Sequence, residues 1–219
     1  MNTKIKSPHF VSTFPLSYLI IKGVKVCYEE NATQIQQHFK KEKRSVSNFQ
    51  KMLEEAQMNP KAAYPTVLEW KKEDPDNPII DNLLTYLHLK HKQVGKAEDL
   101  IYESYQKHPT YFFAKINYAD QCLRKKNLKE IPIIFPSFNL KKLFPSKESF
   151  HVSEYRGFMT LIGQYYLAIK DISSAKECYA NAYEADPTHP SVVLLEKKIY
   201  KKDFFSKLLQ KIIDLARIS

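Results

Sequence analysis

The fold is decided by one stretch, Arg156–His189, which reads RGFMTLIGQYYLAIKDISSAKECYANAYEADPTH. Its apolar residues recur at helical intervals on both sides of Asp171, which begins a short turn. Gly163 and Ala175 are small, so two antiparallel helices can cross closely there without a large side chain forcing them apart. Pro187 stops the second helix because proline has no N–H to donate. The stretch therefore predicts two antiparallel helices joined by a tight turn.

This stretch resembles the tetratricopeptide repeat, whose pattern is W-x2-L-G-x2-Y…A-x3-F-x2-A-x4-P. Methionine stands in place of the tryptophan, and isoleucine and tyrosine are conservative replacements elsewhere. The resemblance implies a right-handed superhelix of helical hairpins, in which the first helices line a concave groove that holds an extended peptide or a partner's helix. The residues that carry it are Met159, Ile162, Gly163, Tyr166, Ala175, Tyr179, Ala182 and Pro187.

Weaker copies of the pattern occur at intervals of about 34 residues, the period of this repeat. One copy ends at Pro75 and another at Pro109, and the interval before Arg156 leaves room for a third copy with an insertion of about ten residues. After Pro187 the offsets continue into a pair of helices, of which the second would be a cap. The residues at the expected offsets are Ala63, Val67 and Trp70; Leu84, Ala97, Ile101 and Ser104; Tyr118, Ala119, Cys122, Ile131, Phe135 and Phe138; and Val193, Tyr200, Leu209, Ile213 and Ala216.

The predicted fold class is all-α, an α-solenoid of stacked antiparallel helix hairpins. Residues 44–219 form the helical repeat domain, with an irregular insertion at about 129–155 and a C-terminal capping helix. Residues 1–43 form an N-terminal segment of uncertain structure. Within it, the alternation at Val24 and Val26 favours a strand, an apolar stripe from Phe14 to Tyr28 favours a helix, and periodicity does not choose between them.

The insertion departs most from the repeat. Pro132 and Pro136 lie four residues apart within the expected second helix, so that helix must be short or broken. The segment is too apolar for a free loop, so its side chains either pack on the solenoid, which is the more frequent case, or form a contact patch. These side chains are Phe135, Phe138, Leu140, Leu143, Phe144 and Phe150.

The groove of the first helices is the predicted binding site. Lys90 and Arg124 are one period apart, so stacked hairpins place two cations at equivalent heights, beside the amides of Asn82 and Asn117. Such a surface suits an acidic peptide or a carboxylate, although the same residues are also typical of an ordinary solvated face. The resemblance implies that Asn117 bonds the backbone of a bound peptide. The predicted groove residues are Asn82, Tyr86, Lys90, Phe113, Asn117, Asp120, Arg124, Thr160, Gln164 and Leu167.

The sequence favours neither catalysis nor a cofactor. It contains only 4 glycines and lacks P-loop, dinucleotide, G-x-S-x-G and H-E-x-x-H motifs. His88 and His91 are three residues apart without a nearby carboxylate motif, which favours a core and a surface histidine over a metal site. Cys27, Cys122 and Cys178 have no metal-ligand spacing and are expected to be reduced thiols.

The formal net charge of +10 leaves two other functions open. A basic helical-repeat protein can bind nucleic acid. Here the lysines are spread along every segment and often lie beside acids, a pattern that is typical of solvated helix faces and argues against a nucleic-acid partner. The basic amphipathic stretch 201–218 is interpreted as a cap or, alternatively, as the membrane-surface helix of a targeting subunit. Lys4 and Lys6 precede an apolar stretch, but Pro15 interrupts it, so a cytoplasmic protein is expected.

Overall fold

The computed structural model describes residues 17–29 and 46–201. These two ranges contain ten helices and three short strands, joined by turns. The last of these helices in chain order, α10, is described over residues 190–201. No helix in these two ranges is long and apolar enough to cross a bilayer. In chain order the other elements are β1 (Tyr18–Ile21), β2 (Val24–Cys27), α1 (Val46–Met58), α2 (Pro60–Glu73), α3 (Pro78–Lys90), α4 (Val94–Lys107), α5 (Phe112–Arg124), α6 (Glu130–Ile134), α7 (Leu140–Leu143), β3 (Phe150–His151), α8 (Val152–Ala168) and α9 (Ile172–Ala185).

The helices pack as successive hairpins. The pairs are α1 with α2, α3 with α4, α5 with α6, and α8 with α9, and each pair packs on the next. The small residues predicted to lie between the helices are all fully buried, at Ala63, Ala97, Ala119, Ala175 and Ala182. The all-α solenoid is therefore confirmed, with the addition of one small sheet.

Several helices begin where the sequence supplies a cap. The side chains of Asn59 and Asn77 accept hydrogen bonds from backbone N–H groups of the helices that follow them, and Pro60 and Pro78 take the first helical position. Proline is favoured there because the first N–H of a helix has no intrahelical partner. Asp171 caps α9 in the same way, by accepting from the N–H of Ser174 at 3.0 Å. The boundary predicted at Asp171 thus follows from its side chain.

The turns inside three hairpins share one backbone geometry. Lys92, Lys126 and Lys170 each follow the end of a first helix with a positive φ, of 59°, 60° and 69° respectively. In each case the next residue donates its N–H back to a carbonyl of the last helical turn, at 2.9, 2.8 and 2.9 Å. This is the left-handed helix end that satisfies otherwise unpaired carbonyls. The repeated turn is independent evidence that the hairpins are copies of one unit.

The third hairpin has a shortened second helix. α6 contains five residues and ends at Ile134, so Phe135 and Phe138 lie beyond it rather than on the predicted second helix. Pro132 and Pro136 explain the early end, because neither can donate the hydrogen bond that a continuing helix needs. The chain then forms α7 and β3 before α8 begins.

A three-stranded sheet packs beside this shortened hairpin. β1 and β2 form an antiparallel hairpin, and β2 pairs in parallel with β3, with Val26 opposite Phe150. The ambiguous segment at 14–28 is therefore a strand hairpin over its described part. Ile21, Val24 and Val26 are buried, while the intervening Lys25 is exposed. Period-2 alternation of this kind directs one face of the sheet into the core.

The sheet and the insertion share a core with the helices. Val26, Phe135, Phe150 and Phe158 are each at most 1% exposed and belong to one apolar cluster, with Phe112 from α5. Phe158 packs within it, with its ring centroid 5.9 Å from that of Phe112 and 5.2 Å from that of Phe135. The strand pair and the insertion thus supply apolar contacts at the hairpin whose second helix is short.

Gly163 lies at a close approach, although its neighbours differ from the expected one. A Cβ added there would lie 3.2 Å from Cβ of Cys178 on α9 and 2.7 Å from Cδ2 of Leu195 on α10. The three nearest atoms therefore belong to Cys178 and Leu195, while Ala175 lies in an apolar cluster with Leu167 and the same Leu195. Gly163 lets α8 contact both the second helix of its own hairpin and the helix that follows.

Replacing Gly163 with alanine should lower the free energy of unfolding by about 1–3 kcal/mol, because the methyl group overpacks a buried contact. Urea denaturation followed by circular dichroism measures the change. Gly95→Ala is the matched control. Nothing lies within 4 Å of a Cβ built at Gly95, so that variant should be more stable by about 0.5–1 kcal/mol. Equal destabilisation by both changes would contradict the crossing assigned to Gly163.

The three cysteines are free thiols, and they differ in accessibility. Burial raises the pKa of the Cys178 thiol to about 12 and also raises that of Cys122, while Cys27 is only half-buried. Since the thiolate is the reactive form, we expect iodoacetamide at pH 8 to label Cys27 much faster than Cys178. Mass spectrometry of digested samples measures the rates. Equal labelling of the two thiols in folded protein would contradict their placement.

Candidate functional site

The candidate site is an open pocket of about 470 Å³ that is lined entirely by first helices. Residues of α5, α8 and α10 face it, and α10 takes the first-helix place after the α8–α9 hairpin. A pocket of this size lies within the usual range of ligand sites. Its lining residues are Asp120, Leu123, Arg124, Gln164, Leu167, Ala168, Lys198 and Lys201.

The pocket combines an apolar surface with a mainly basic rim. Leu123, Leu167 and Ala168 supply the apolar part. On the rim, Nε of Arg124 lies 2.9 Å from a carboxylate oxygen of Asp120, four residues earlier on α5. Nη1 of Arg124 reaches Glu98 on α4 at 3.3 Å, so this guanidinium is held in place by two carboxylates.

The other side of the rim belongs to α8 and α10. The ammonium group of Lys198 donates to Oε1 of Gln164 at 2.5 Å, and these residues are 34 positions apart. An amide oxygen is neutral, so the charge of Lys198 is not cancelled there. Lys201 follows less than one turn later and is exposed. Arg124 is paired with two carboxylates, so among the described residues the rim cations that no carboxylate neutralises are Lys198 and Lys201. Their charges favour an anionic group.

Two further predicted residues form a hydrogen-bonded pair between neighbouring first helices. Nδ2 of Asn117 on α5 donates to Oδ1 of Asn82 on α3 at 2.8 Å. The pair leaves one Asn117 oxygen and one Asn82 amide with capacity for a peptide backbone. Tyr86 and Lys90 lie further along α3, where the Lys90 ammonium is 5.2 Å from the centroid of the Tyr86 ring.

The structure thus brings some of the predicted residues together and separates others. Asp120, Arg124, Gln164 and Leu167 line the same pocket. Phe113 packs partly against the core, with its ring 6.0 Å from that of Tyr111. Thr160 is only 5% exposed and donates its hydroxyl to the carbonyl of Arg156 at 2.9 Å, and it does not line this pocket.

The sequence analysis did not predict four of the residues that line the groove pocket: Leu123, Ala168, Lys198 and Lys201. Lys198 follows Gln164 by one period, so stepping the repeat once more would have found it. Leu123 and Ala168 have no polar group, and a search for chemistry-bearing side chains passes over them. Lys201 lies in the stretch that the sequence assigned to a cap or a membrane helix.

His88 and His91, the pair considered for a metal site, have packing roles. His88 is buried, with Nδ1 2.8 Å from Oε1 of Gln93 and 3.3 Å from the hydroxyl of Tyr64. Nε2 of His91 lies 3.2 Å from the carbonyl oxygen of Pro60. In the two described ranges, no group of three or more His, Cys, Asp or Glu side chains is arranged to hold a metal ion. Both rings therefore tie α3 and its following turn to α2.

The comparisons with known proteins are limited to distant likenesses in structure. No protein-family model matches the sequence, and no curated protein matches it. One similar solved structure is MamA 41-end from Desulfovibrio magneticus RS-1, at 15% identity and a TM-score of 0.45, which covers 79% of this chain and 96% of that one. Another is the MamA RS-1 ArsTM double mutant, at 16% identity and a TM-score of 0.44, with 78% and 94% covered.

Proposed function

We propose that this chain is a protein-interaction module that binds an acidic peptide or the acidic face of a partner helix in the groove of its first helices. The observation that carries the proposal is the pocket shared by α5, α8 and α10, because these helices occupy three successive first-helix positions. A ligand that follows the groove would contact several hairpins at once, which gives affinity without deep burial.

Charge and shape support an acidic, partly apolar ligand. An apolar side chain of the ligand would cover Leu123 and Leu167, while its carboxylate would lie near Lys198 and Arg124. Arg124 is already oriented by Asp120 and Glu98, so little of its side-chain freedom remains to be lost on binding. Nothing in this arrangement requires a cofactor or a reaction at the bound peptide.

The test is selection of peptides from a display library on the immobilised full-length chain. We expect enriched sequences to combine Asp or Glu with an apolar residue. The variant Ala168→Tyr fills the pocket without removing a core contact, because Ala168 is exposed. It should weaken a selected peptide at least about tenfold, which corresponds to about 1.4 kcal/mol.

Two matched variants make the test specific. Ala180→Tyr places the same side chain on an exposed position of α9, outside the pocket, and should bind as the unmodified chain does. Lys198→Glu should weaken the acidic peptides, whereas Lys96→Glu on α4 makes the same charge change elsewhere and should not. Enrichment of basic sequences, or equal binding by Ala168→Tyr and Ala180→Tyr, would overturn the proposed function.

A further inference from the structure

A second recess lies between the second helix α4 and the first helix α5. Its volume is about 410 Å³, and it has no lining residue in common with the groove pocket. Two tyrosines and two carboxylates line it, together with Gln121, Cys122, Asn127 and the ammonium group of Lys125. Residues from the turn after α5 complete it.

Its aromatic wall is formed by tyrosines from both helices. The ring of Tyr118 stacks on that of Tyr105, with centroids 4.4 Å apart and planes 17° from parallel. The ring of Tyr102 lies 5.6 Å from Tyr118 at 55°. Tyr118 is therefore fixed by its neighbours, while Tyr102 is 51% exposed and presents a ring to the recess.

The carboxylates of Glu98 and Asp99 lie beside these rings. Oε2 of Glu98 accepts from Nζ of Lys125 at 2.9 Å, and this hydrogen bond, with the charges of Lys125 and Arg124, lowers the pKa of Glu98. Glu98 is thus ionised and already attracts a cation. Asp99 is exposed, and within residues 17–29 and 48–201 its carboxylate makes no ion pair. It is available to a further cation.

The shortened third hairpin explains why the recess is open. α6 is only five residues long, and α4 has its main contacts with α3 and α5 rather than with a following second helix. The outer surface of α4 around Tyr102 and Asp99 therefore stays accessible.

We propose that this recess binds the guanidinium group of an arginine side chain on a partner protein. A guanidinium is planar, so it can lie over the ring of Tyr102 while its N–H groups donate to the Asp99 carboxylate. A lysine ammonium has no plane to stack and is more strongly hydrated, so it fits less well. Arginine is also among the residues that most often anchor protein interfaces. The recess shares no lining residue with the groove pocket, its Glu98 is paired with Arg124 of that pocket, and the inference goes beyond the proposed function.

The experiment titrates the isotope-labelled full-length chain with N-acetyl-arginine amide and follows amide resonances by NMR. N-acetyl-citrulline amide serves as the probe control, since it has the same shape and no charge. We expect the arginine probe to shift resonances of α4 and α5 around Tyr102 and Tyr118, with a dissociation constant on the order of 1–10 mM for so small a ligand. The citrulline probe should shift them at least about threefold less at equal concentration.

Variants assign the contacts. Asp99→Asn and Tyr102→Ala should each weaken the arginine probe at least about threefold, whereas Glu184→Gln and Tyr183→Ala, which change exposed residues of α9, should not. Ala168→Tyr in the groove should leave this binding unchanged, so failure here is distinct from failure of the groove. Equal shifts by arginine and citrulline, no shift in α4, or full binding by Asp99→Asn and Tyr102→Ala would overturn the proposal.

Discussion

Replacing Phe158 with alanine should lower the free energy of unfolding by about 3–5 kcal/mol, the largest effect expected from a single truncation in this chain. Phe158 is fully buried in the aromatic cluster, where its ring contacts those of Phe112 and Phe135. Alanine would leave a cavity that the surrounding rigid rings cannot close. Since a domain of this size is stabilised by roughly 5–15 kcal/mol, the variant should unfold at much lower urea concentration.

Ile133→Ala is the control for that truncation. Ile133 lies on α6 near the same insertion but is 67% exposed, so its replacement should change stability by less than about 0.5 kcal/mol. If Phe158→Ala and Ile133→Ala proved equally mild, the insertion would not share a core with α8 as described.

Placing a carboxylate at Val26 should be comparably damaging. Val26 is fully buried on β2, opposite Phe150 of β3, and its surroundings are apolar. Val26→Asp would bury a charge without a partner, which costs about 3–5 kcal/mol. The result tests whether the N-terminal strand hairpin is part of the helical core, because a detached hairpin would tolerate the change.

Lys25→Asp is the matched control, one residue earlier on the same strand. Its side chain points to the exposed face and lies 4.7 Å from the centroid of the Tyr18 ring. Losing that contact should cost no more than about 1 kcal/mol. Urea denaturation measures the free energy of unfolding of both variants. A similar decrease for Val26→Asp and Lys25→Asp would mean that any aspartate in this strand is destabilising, whether or not its side chain is buried.

The sequence predicted most of the helical stack because local rules and packing agree there. Pro109 follows the end of α4 and Asp171 caps the start of α9, each by its own chemistry, and small residues such as Ala119 recur where helices cross. The early end of α6 followed from Pro132 and Pro136 for the same reason. Each of these features is visible within one hairpin, without knowledge of the rest of the fold.

The periodicity of apolar residues did not predict contacts between distant parts of the chain. The pairing of Val26 with Phe150 joins segments more than one hundred residues apart, and either a strand or a helix was consistent with the local pattern. Likewise, Gly163 approaches Leu195 of the following helix, α10, whereas the pattern within one hairpin indicated only Ala175. In the groove, Ala168 and Leu123 carry no chemical signal, so only the packing of α5, α8 and α10 reveals them.

The predicted capping helix at the C-terminus and its membrane-surface alternative fall mostly on residues outside the described ranges. Lys201 is the last described residue of that stretch, and it lines the groove pocket. The groove pocket is therefore formed by α5, α8 and the described part of α10. Its residues Arg124, Gln164 and Lys198 are held by side-chain contacts with Asp120 and with each other, all within the described residues.

Site-specific cross-linking in cells tests the central claim most directly. A photoreactive amino acid is placed at Ala168, on the groove, or at Ala180, an exposed alanine of α9 outside it. The account predicts that irradiation joins a partner protein to the chain from position 168 and that this product is absent from position 180. A partner captured from position 180 and never from position 168 would contradict the claim that the first-helix groove is the binding surface.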